Sequence, residues 1–109
     1  FFAEIYEDAY SAIDPLAEYI RSSDEYAPGS LSRFAELSII PDQTKVPRAK
    51  LMIQELLADS QTMVDLLNSC FADAEAENKQ DIANFMAERL SQQNKYAWQL
   101  RSFLKDVRE

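Results

Sequence analysis

The sequence has 109 residues, which is enough for one compact domain over residues 1–109 and too few for two. Its formal net charge is -8, from 19 acidic and 11 basic side chains, and this acidity argues against nucleic acid as a partner because like charges repel phosphates. It contains no histidine, which excludes, within these residues, a Ser-His-Asp triad, a zinc His-Glu-x-x-His site and a Glu-x-x-His di-iron motif.

The first predicted element is an amphipathic helix that runs to about Ser22. Its apolar residues recur at intervals of three and four, which is the spacing of one helix face. Pro15 lacks a backbone donor and crowds the carbonyl of Ser11, so we expect a local bend rather than an end, because the apolar stripe continues on both sides. The stripe consists of Phe2, Ile5, Ala9, Ile13, Leu16 and Ile20.

A long connection is predicted over residues 22–46. The only glycine and three of the four prolines fall between residues 22 and 48. Ser30 is a suitable N-cap and predicts a short helix over Leu31 to Leu37 within the connection. A connection of this length can span a helix of about 40 Å and place the next helix at the opposite corner of a bundle. A four-helix bundle with one crossover is therefore favoured.

Two long helices follow the connection. The first is expected to begin near Val46, with Pro47 in its first turn, and to reach about Ala72. The second is expected to start after Asn78, an N-cap candidate, and to run almost to the end. The short turn between them makes them antiparallel neighbours. Their apolar stripes are Ile53, Leu56, Leu57, Met63, Val64, Leu67, Cys70 and Phe71 in the first helix, and Ile82, Met86, Leu90, Ala97, Leu100, Leu104 and Val107 in the second.

Three helices with broad apolar faces leave a groove open to water, and the sequence begins at Phe1 inside a helical pattern without a cap. We therefore expect a further helix upstream of Phe1, with a three-helix bundle as the alternative. The longest apolar runs are far shorter than a membrane helix, and no signal-peptide pattern is present, so a soluble protein without a membrane partner is expected. The single cysteine, Cys70, favours a packed thiol in a reducing compartment, the cytoplasm.

Three parts of the sequence carry a family resemblance. They are FAEIYE at residues 2–7 with IDPLAEYIR at 13–21, APGSL at 27–31 with FAELS at 34–38, and KYAWQLRSFL at 95–104. In this order they resemble the second helix, the crossover and the end of the last helix of the Dps family, the iron-oxidising mini-ferritins of the ferritin-like superfamily. The resemblance implies an all-α ferritin-like four-helix bundle whose first helix lies outside these residues.

The resemblance also implies a function. Dps proteins form hollow homo-oligomers, dodecamers, that oxidise Fe(II) with hydrogen peroxide or oxygen, store the ferric mineral and protect against oxidative stress. It places Asp14 and Glu18 at a ferroxidase iron site between two subunits, where the other subunit's histidines complete the ligands. Ala3 departs from the family pattern, because many members carry an acidic ligand of the second iron position there. Glu77 and Asp81 would line an acidic three-fold pore for iron entry.

Both acidic pairs also have a plainer interpretation. Asp14 and Glu18 are one helical turn apart, so their carboxylates can converge on a hard cation such as Fe(II). Spacing alone favours solvated surface acids, and the resemblance reverses that preference. Glu77 and Asp81 are expected to share a face at the start of the last helix, where acids also stabilise a helix N-terminus without any pore.

Two other functions stay open at this point. One is a DNA-compacting Dps-like protein, although no basic tail occurs in these residues and DNA as a partner is undecided. The other is a helical scaffold that has lost the iron site, which would fit the absence of histidine and the presence of Ala3. Trp98 lies off the main apolar stripe, beside polar residues, and predicts a contact between subunits.

Overall fold

A computed structural model describes residues 1–106 of the chain, which form only helices and connections over that range. The all-α prediction is therefore confirmed. Two compact units are distinguished, Phe1–Pro41 and Asp42–Glu109. No helix in the described range is both long and apolar enough to cross a membrane. The helices are α1 (Phe2–Ser11), α2 (Ile13–Ser22), α3 (Leu31–Leu37), α4 (Ala49–Ala76) and α5 (Gln80–Asp106).

The first predicted helix is present as α1 and α2, which are separated by Ala12 alone. Ala12 keeps right-handed helical angles, with φ -80° and ψ -15°. The Leu16 N–H donates to the Ala12 carbonyl at 3.1 Å, so helical hydrogen bonding continues directly after the interruption. Pro15 has no N–H to donate to the Ser11 carbonyl, which accounts for a break at this point. The interruption is local, as predicted, and does not end the helical segment.

The short helix α3 confirms the prediction for the connection. Ser30 has extended backbone angles, and its hydroxyl accepts a hydrogen bond from the Arg33 N–H at 3.2 Å. This bond satisfies one of the donors that a helix N-terminus leaves free. The helix therefore begins at Leu31, directly after its cap.

Helix α4 begins and ends later than predicted, at Ala49 rather than Val46 and at Ala76 rather than Ala72. Pro47 disfavours helical angles in Val46, and the extended angles of Arg48 leave Pro47 outside the helix, so its predicted place in the first turn is wrong. Val46 is accordingly outside the helix and 90% exposed. Arg48 is the N-cap residue, with φ -62° and ψ 156°.

Asn78 ends α4 rather than starting α5, so the prediction that it caps the last helix is wrong. Its φ is 57°, a left-handed value that asparagine adopts more easily than most residues. The Asn78 N–H donates to the Glu75 carbonyl at 3.0 Å, and the Lys79 N–H donates to the Ala74 carbonyl at 2.9 Å. These two bonds form a Schellman cap. The Lys79 carbonyl then accepts a hydrogen bond from the Ala83 N–H. Helix α5 therefore begins at Gln80, one residue later than it would with Asn78 as its N-cap.

The core of the second unit lies between α4 and α5. Buried positions on α4 recur every seven residues, which is the spacing of helices packed along a narrow seam. All six of the other predicted stripe residues of α4 are only half-buried. Val107, predicted to face inward, lies outside the described residues. The buried residues are Ile53, Ser60, Leu67 and Ala74 on α4, and Ala83, Met86, Gln93, Tyr96, Ala97 and Leu100 on α5.

A buried polar contact, missed by the apolar pattern, joins the middle of the two long helices. The Ser60 hydroxyl lies 2.9 Å from the Oε1 atom of Gln93 and 3.2 Å from the Gln93 carbonyl oxygen. Both residues are buried, where an unpaired polar group is unfavourable, so the hydrogen bond between them stabilises the core. The contact thus favours one register of α4 against α5.

The first unit has no comparable core. None of the residues of α1, α2 and α3 is buried in the described chain, and Ala12 between the first two helices is the small exception in that stretch. The apolar stripe predicted for the first helix is therefore present, but these residues do not cover it. This agrees with the expectation that the helices leave an apolar groove exposed to water. Part of the stripe lines an apolar groove of about 320 Å³, formed by Ile13, Leu16, Ala17, Ile20, Ala27, Pro28 and Phe34.

Candidate iron site

The predicted iron ligands Asp14 and Glu18 lie on one face of α2. Asp14 is in the first turn of this helix, and Glu18 follows four residues later. Both side chains are exposed. Neither forms a hydrogen bond or an ion pair with any residue of the described chain, so their four carboxylate oxygens are free to bind a cation.

The pair does not form a complete metal site within one chain. No group of three or more histidine, cysteine or acidic side chains with metal-binding geometry occurs among residues 1–106. Two neighbouring carboxylates suit a hard cation such as Fe(II), yet stable binding needs more ligands than two. Because the 109 residues contain no histidine, any imidazole ligand would come from outside them.

A second acidic pair with the same spacing, Glu55 and Asp59, lies on α4 and was not singled out by the sequence analysis. Its environment differs from that of Asp14 and Glu18. The Gln43 side-chain amide donates to both carboxylate oxygens of Glu55, at 2.8 and 3.0 Å. Burial, and then the negative charge of Glu55, raise the pKa of Asp59 above its usual value. Glu55 is already engaged by Gln43 and Asp59 is partly buried, so this pair is less available to a cation from solvent than the exposed α2 pair.

The predicted pore residues Glu77 and Asp81 do not share one helix, which corrects that part of the prediction. Glu77 is the C-cap residue of α4, with φ -96° and ψ 8°, whereas Asp81 is in the first turn of α5. Glu77 lies 3.7 Å from the Lys79 ammonium group, and Asp81 accepts a hydrogen bond from the Ile82 N–H at 2.9 Å. Both acids are exposed at the same end of the α4–α5 pair, so a shared acidic surface is retained without a shared helix face.

Cys70 is a free thiol, half-buried on α4. Burial, and then the negative charge of Asp73, raise the pKa of the Cys70 thiol. The thiolate is the reactive form of cysteine, so this environment disfavours a catalytic role. Cys70 was expected to be a buried small hydrophobe, and it is only half-buried.

Comparison with known proteins identifies the family. The family model described as "Ferritin-like domain" matches residues 1–109, and the chain belongs to this family. Among solved structures, it is similar to Dps from Staphylococcus aureus, with a TM-score of 0.91 and 25% identity over 99% of this chain and 71% of that one. It is also similar to a Dps protein from Bacillus brevis, with a TM-score of 0.90 and 25% identity over 94% of this chain and 69% of that one. Within the ferritin-like family the chain is thus of the Dps type, as the resemblance in its sequence indicated.

Two cyanobacterial relatives have not been assigned an activity. They are an uncharacterized low temperature-induced protein of Nostoc sp. and its homologue in Anabaena variabilis, each 30% identical over 104 residues. These residues are 93% of this chain and 58% of either relative, so the chain spans little more than half the length of these proteins.

Proposed function

We propose that the protein is a Dps-type ferroxidase, which oxidises Fe(II) with hydrogen peroxide or oxygen and stores the ferric mineral in a hollow homo-oligomer. The proposal rests on one observation, the exposed and unengaged Asp14–Glu18 pair on α2 of a Dps-type fold. The dodecamer of this family is the expected assembly, and protection against oxidative stress is the expected role. The free thiol of Cys70 supports a reducing compartment, the cytoplasm, as the location.

Iron would be the substrate, and the carboxylate pair would hold it in position and favour its oxidation through negative charge. Two anionic oxygen ligands stabilise Fe(III) more than Fe(II), because the attraction grows with the charge of the cation. This difference favours loss of an electron from iron held by Asp14 and Glu18. The remaining ligands would come from a second subunit, so the site would be complete only in the oligomer.

The open apolar surface of the first unit is available both to the expected helix upstream of Phe1 and to a second subunit. Exposed apolar patches on proteins mark contact surfaces, and here one lies on the same helix as the acidic pair. Ile13 and Leu16 line the groove described above and alternate along α2 with Asp14 and Glu18. A second subunit that covers this groove would therefore also approach the carboxylates.

The experiment that tests the function is a rate measurement on the full-length wild-type protein, after its assembly state has been determined by light scattering. Ferric product should form faster than in protein-free buffer with peroxide, with oxygen or with both, and the product should remain with the protein. An assembled protein that leaves the rate of both reactions at the buffer level would contradict the ferroxidase proposal and favour the helical scaffold.

Iron entry should depend on the acidic end of the α4–α5 pair. Replacing Glu77 by Gln and Asp81 by Asn should slow iron uptake, most clearly at low salt, because negative potential concentrates Fe(II) and salt screens it. A matched control removes two exposed acids elsewhere, Asp65 and Glu88, by the same substitutions. Equal uptake rates in both variants at low ionic strength would contradict a role of Glu77 and Asp81 in iron entry.

A further inference from the structure

A cation lies close to the Asp14–Glu18 pair on α2 without contacting it. Arg21 follows Glu18 by three residues, and side chains at this spacing are neighbours on a helix surface. The acid stands nearer the helix N-terminus and the base nearer the C-terminus, which is the order that the helix dipole favours. Glu18 nevertheless forms no ion pair or hydrogen bond with any of residues 1–106. An ion pair that the sequence would allow is therefore absent from this part of the chain.

The same spacing does give an ion pair elsewhere in the first unit. On α3 the Nη1 atom of Arg33 lies 3.0 Å from the Oε2 atom of Glu36, three residues later. Both side chains of that pair are exposed, as are those of Glu18 and Arg21. In α3 the base comes before the acid, which is the less favourable order. The different behaviour of Arg21 must therefore come from its other contacts.

The turn after α2 provides these contacts. Asp24 has a left-handed φ of 65°, and its N–H donates to the Arg21 carbonyl at 3.0 Å. The Glu25 N–H donates to the Ile20 carbonyl at 3.2 Å. These are the two hydrogen bonds of a Schellman cap, which turns the chain back at the end of a helix. The turn brings residues 25 and 26 alongside the Arg21 side chain.

Two groups of the turn hold the Arg21 guanidinium group. Its Nη1 atom donates to the Glu25 carbonyl at 2.9 Å, and its Cζ atom lies 4.7 Å from the centre of the Tyr26 ring. Tyr26 is 88% exposed, so burial in a core does not account for this contact. An exposed cation–π contact is about as strong as an exposed ion pair, and the additional hydrogen bond favours this position over Glu18. We call Arg21, the Glu25 carbonyl and the Tyr26 ring the arginine clamp.

We propose that the arginine clamp holds Arg21 away from Glu18 and so keeps the Asp14–Glu18 pair free for Fe(II). The inference rests on the proposed ferroxidase function and adds Tyr26 to it as a positioning residue. Without the ring, Arg21 would pair with Glu18 and occupy carboxylate oxygens that the iron needs. It would also place a positive charge beside the site, which lowers the affinity for another cation.

A plainer role for Arg21 is to stabilise the C-terminus of α2, where the helix dipole favours a cation. The two roles predict different results for Tyr26. If Arg21 only stabilises the helix end, replacing Tyr26 should change stability and leave Fe(II) affinity unchanged. If the clamp protects Glu18, the same replacement should weaken Fe(II) binding, and only while Arg21 is present.

The test is anaerobic Fe(II) titration calorimetry on full-length protein whose assembly has been confirmed by light scattering. Tyr26→Leu should weaken Fe(II) binding about two- to fivefold, the range that an exposed ion pair contributes. Tyr26→Phe keeps the ring and should bind like the wild type. Tyr26→Leu combined with Arg21→Gln should bind at least as tightly as the wild type, because no cation remains to occupy Glu18.

A matched control and a second readout separate the clamp from other effects. Tyr26→Leu combined with Lys45→Gln removes the same charge from an exposed position elsewhere and should remain weakened. A crystal structure of iron-free Tyr26→Leu should show Arg21 within about 4 Å of the Glu18 carboxylate, the distance of an ion pair. This readout does not depend on iron binding or on oxidation.

Wild-type affinity in the Tyr26→Leu variant would overturn the inference. A loss of affinity that persists together with Arg21→Gln would also overturn it, since Tyr26 would then act without the arginine. A crystal structure in which Arg21 of Tyr26→Leu still lies away from Glu18 would refute the clamp and leave the ferroxidase proposal intact. A wild-type protein without tight Fe(II) sites would refute the ferroxidase proposal and, with it, the role of the clamp toward iron.

Discussion

Replacing Asp14 by Asn and Glu18 by Gln is expected to lower the initial rate of Fe(II) oxidation by more than about 100-fold, since loss of even an outer partner of a metal ligand costs about 10–100-fold. The substitutions keep side-chain size and remove two negative charges. Because both residues are exposed and unengaged in the chain, the fold should not change. The rate is measured as ferric product with peroxide and with oxygen, on full-length protein of confirmed assembly.

The control for this variant is Asp65→Asn with Glu88→Gln, which removes the same two charges from exposed positions on α4 and α5. It should oxidise iron at the wild-type rate. If both double variants retain that rate, the Asp14–Glu18 pair consists of solvated surface acids. If both lose it equally, total charge rather than the pair determines the rate.

Leu100→Ala is expected to destabilise the protein by about 2–5 kcal/mol, the usual cost of truncating a buried leucine. Leu100 is 1% exposed and lies in the core between α4 and α5. The loss combines apolar surface returned to water with the cavity left behind. Urea unfolding monitored by circular dichroism measures it. The matched substitution Leu66→Ala, at a 42% exposed position on α4, should cost far less, and equal costs would contradict the assigned core.

The parts of the fold that local signals specify could be predicted from the sequence. The hydroxyl of Ser30 caps the first turn of α3. The apolar spacing is the same before and after Pro15, so it predicted a helical segment that continues past the proline. Asn78 was misassigned because asparagine suits both an N-cap and a left-handed C-terminal position. Only the backbone hydrogen bonds around it distinguish the two.

Contacts distant in sequence could not be predicted in the same way. Ser60 and Gln93 are 33 residues apart, and a search for apolar periodicity passes over both. The choice between the two acidic pairs as the iron site shows the same difficulty. Spacing makes Glu55 and Asp59 equivalent to the α2 pair, and the contact with Gln43, 12 residues before Glu55, together with the partial burial of Asp59, distinguishes them.

Anaerobic Fe(II) binding tests the central claim most directly, because it measures ligation by Asp14 and Glu18 without any oxidation step. Titration calorimetry of the assembled wild-type protein should show a tight class of sites, one for each Asp14–Glu18 pair. The Asp14→Asn, Glu18→Gln variant should lose that class, while the Asp65→Asn, Glu88→Gln control should retain it. Equal stoichiometry and affinity in the wild type and the Asp14, Glu18 variant would contradict an iron site at this pair.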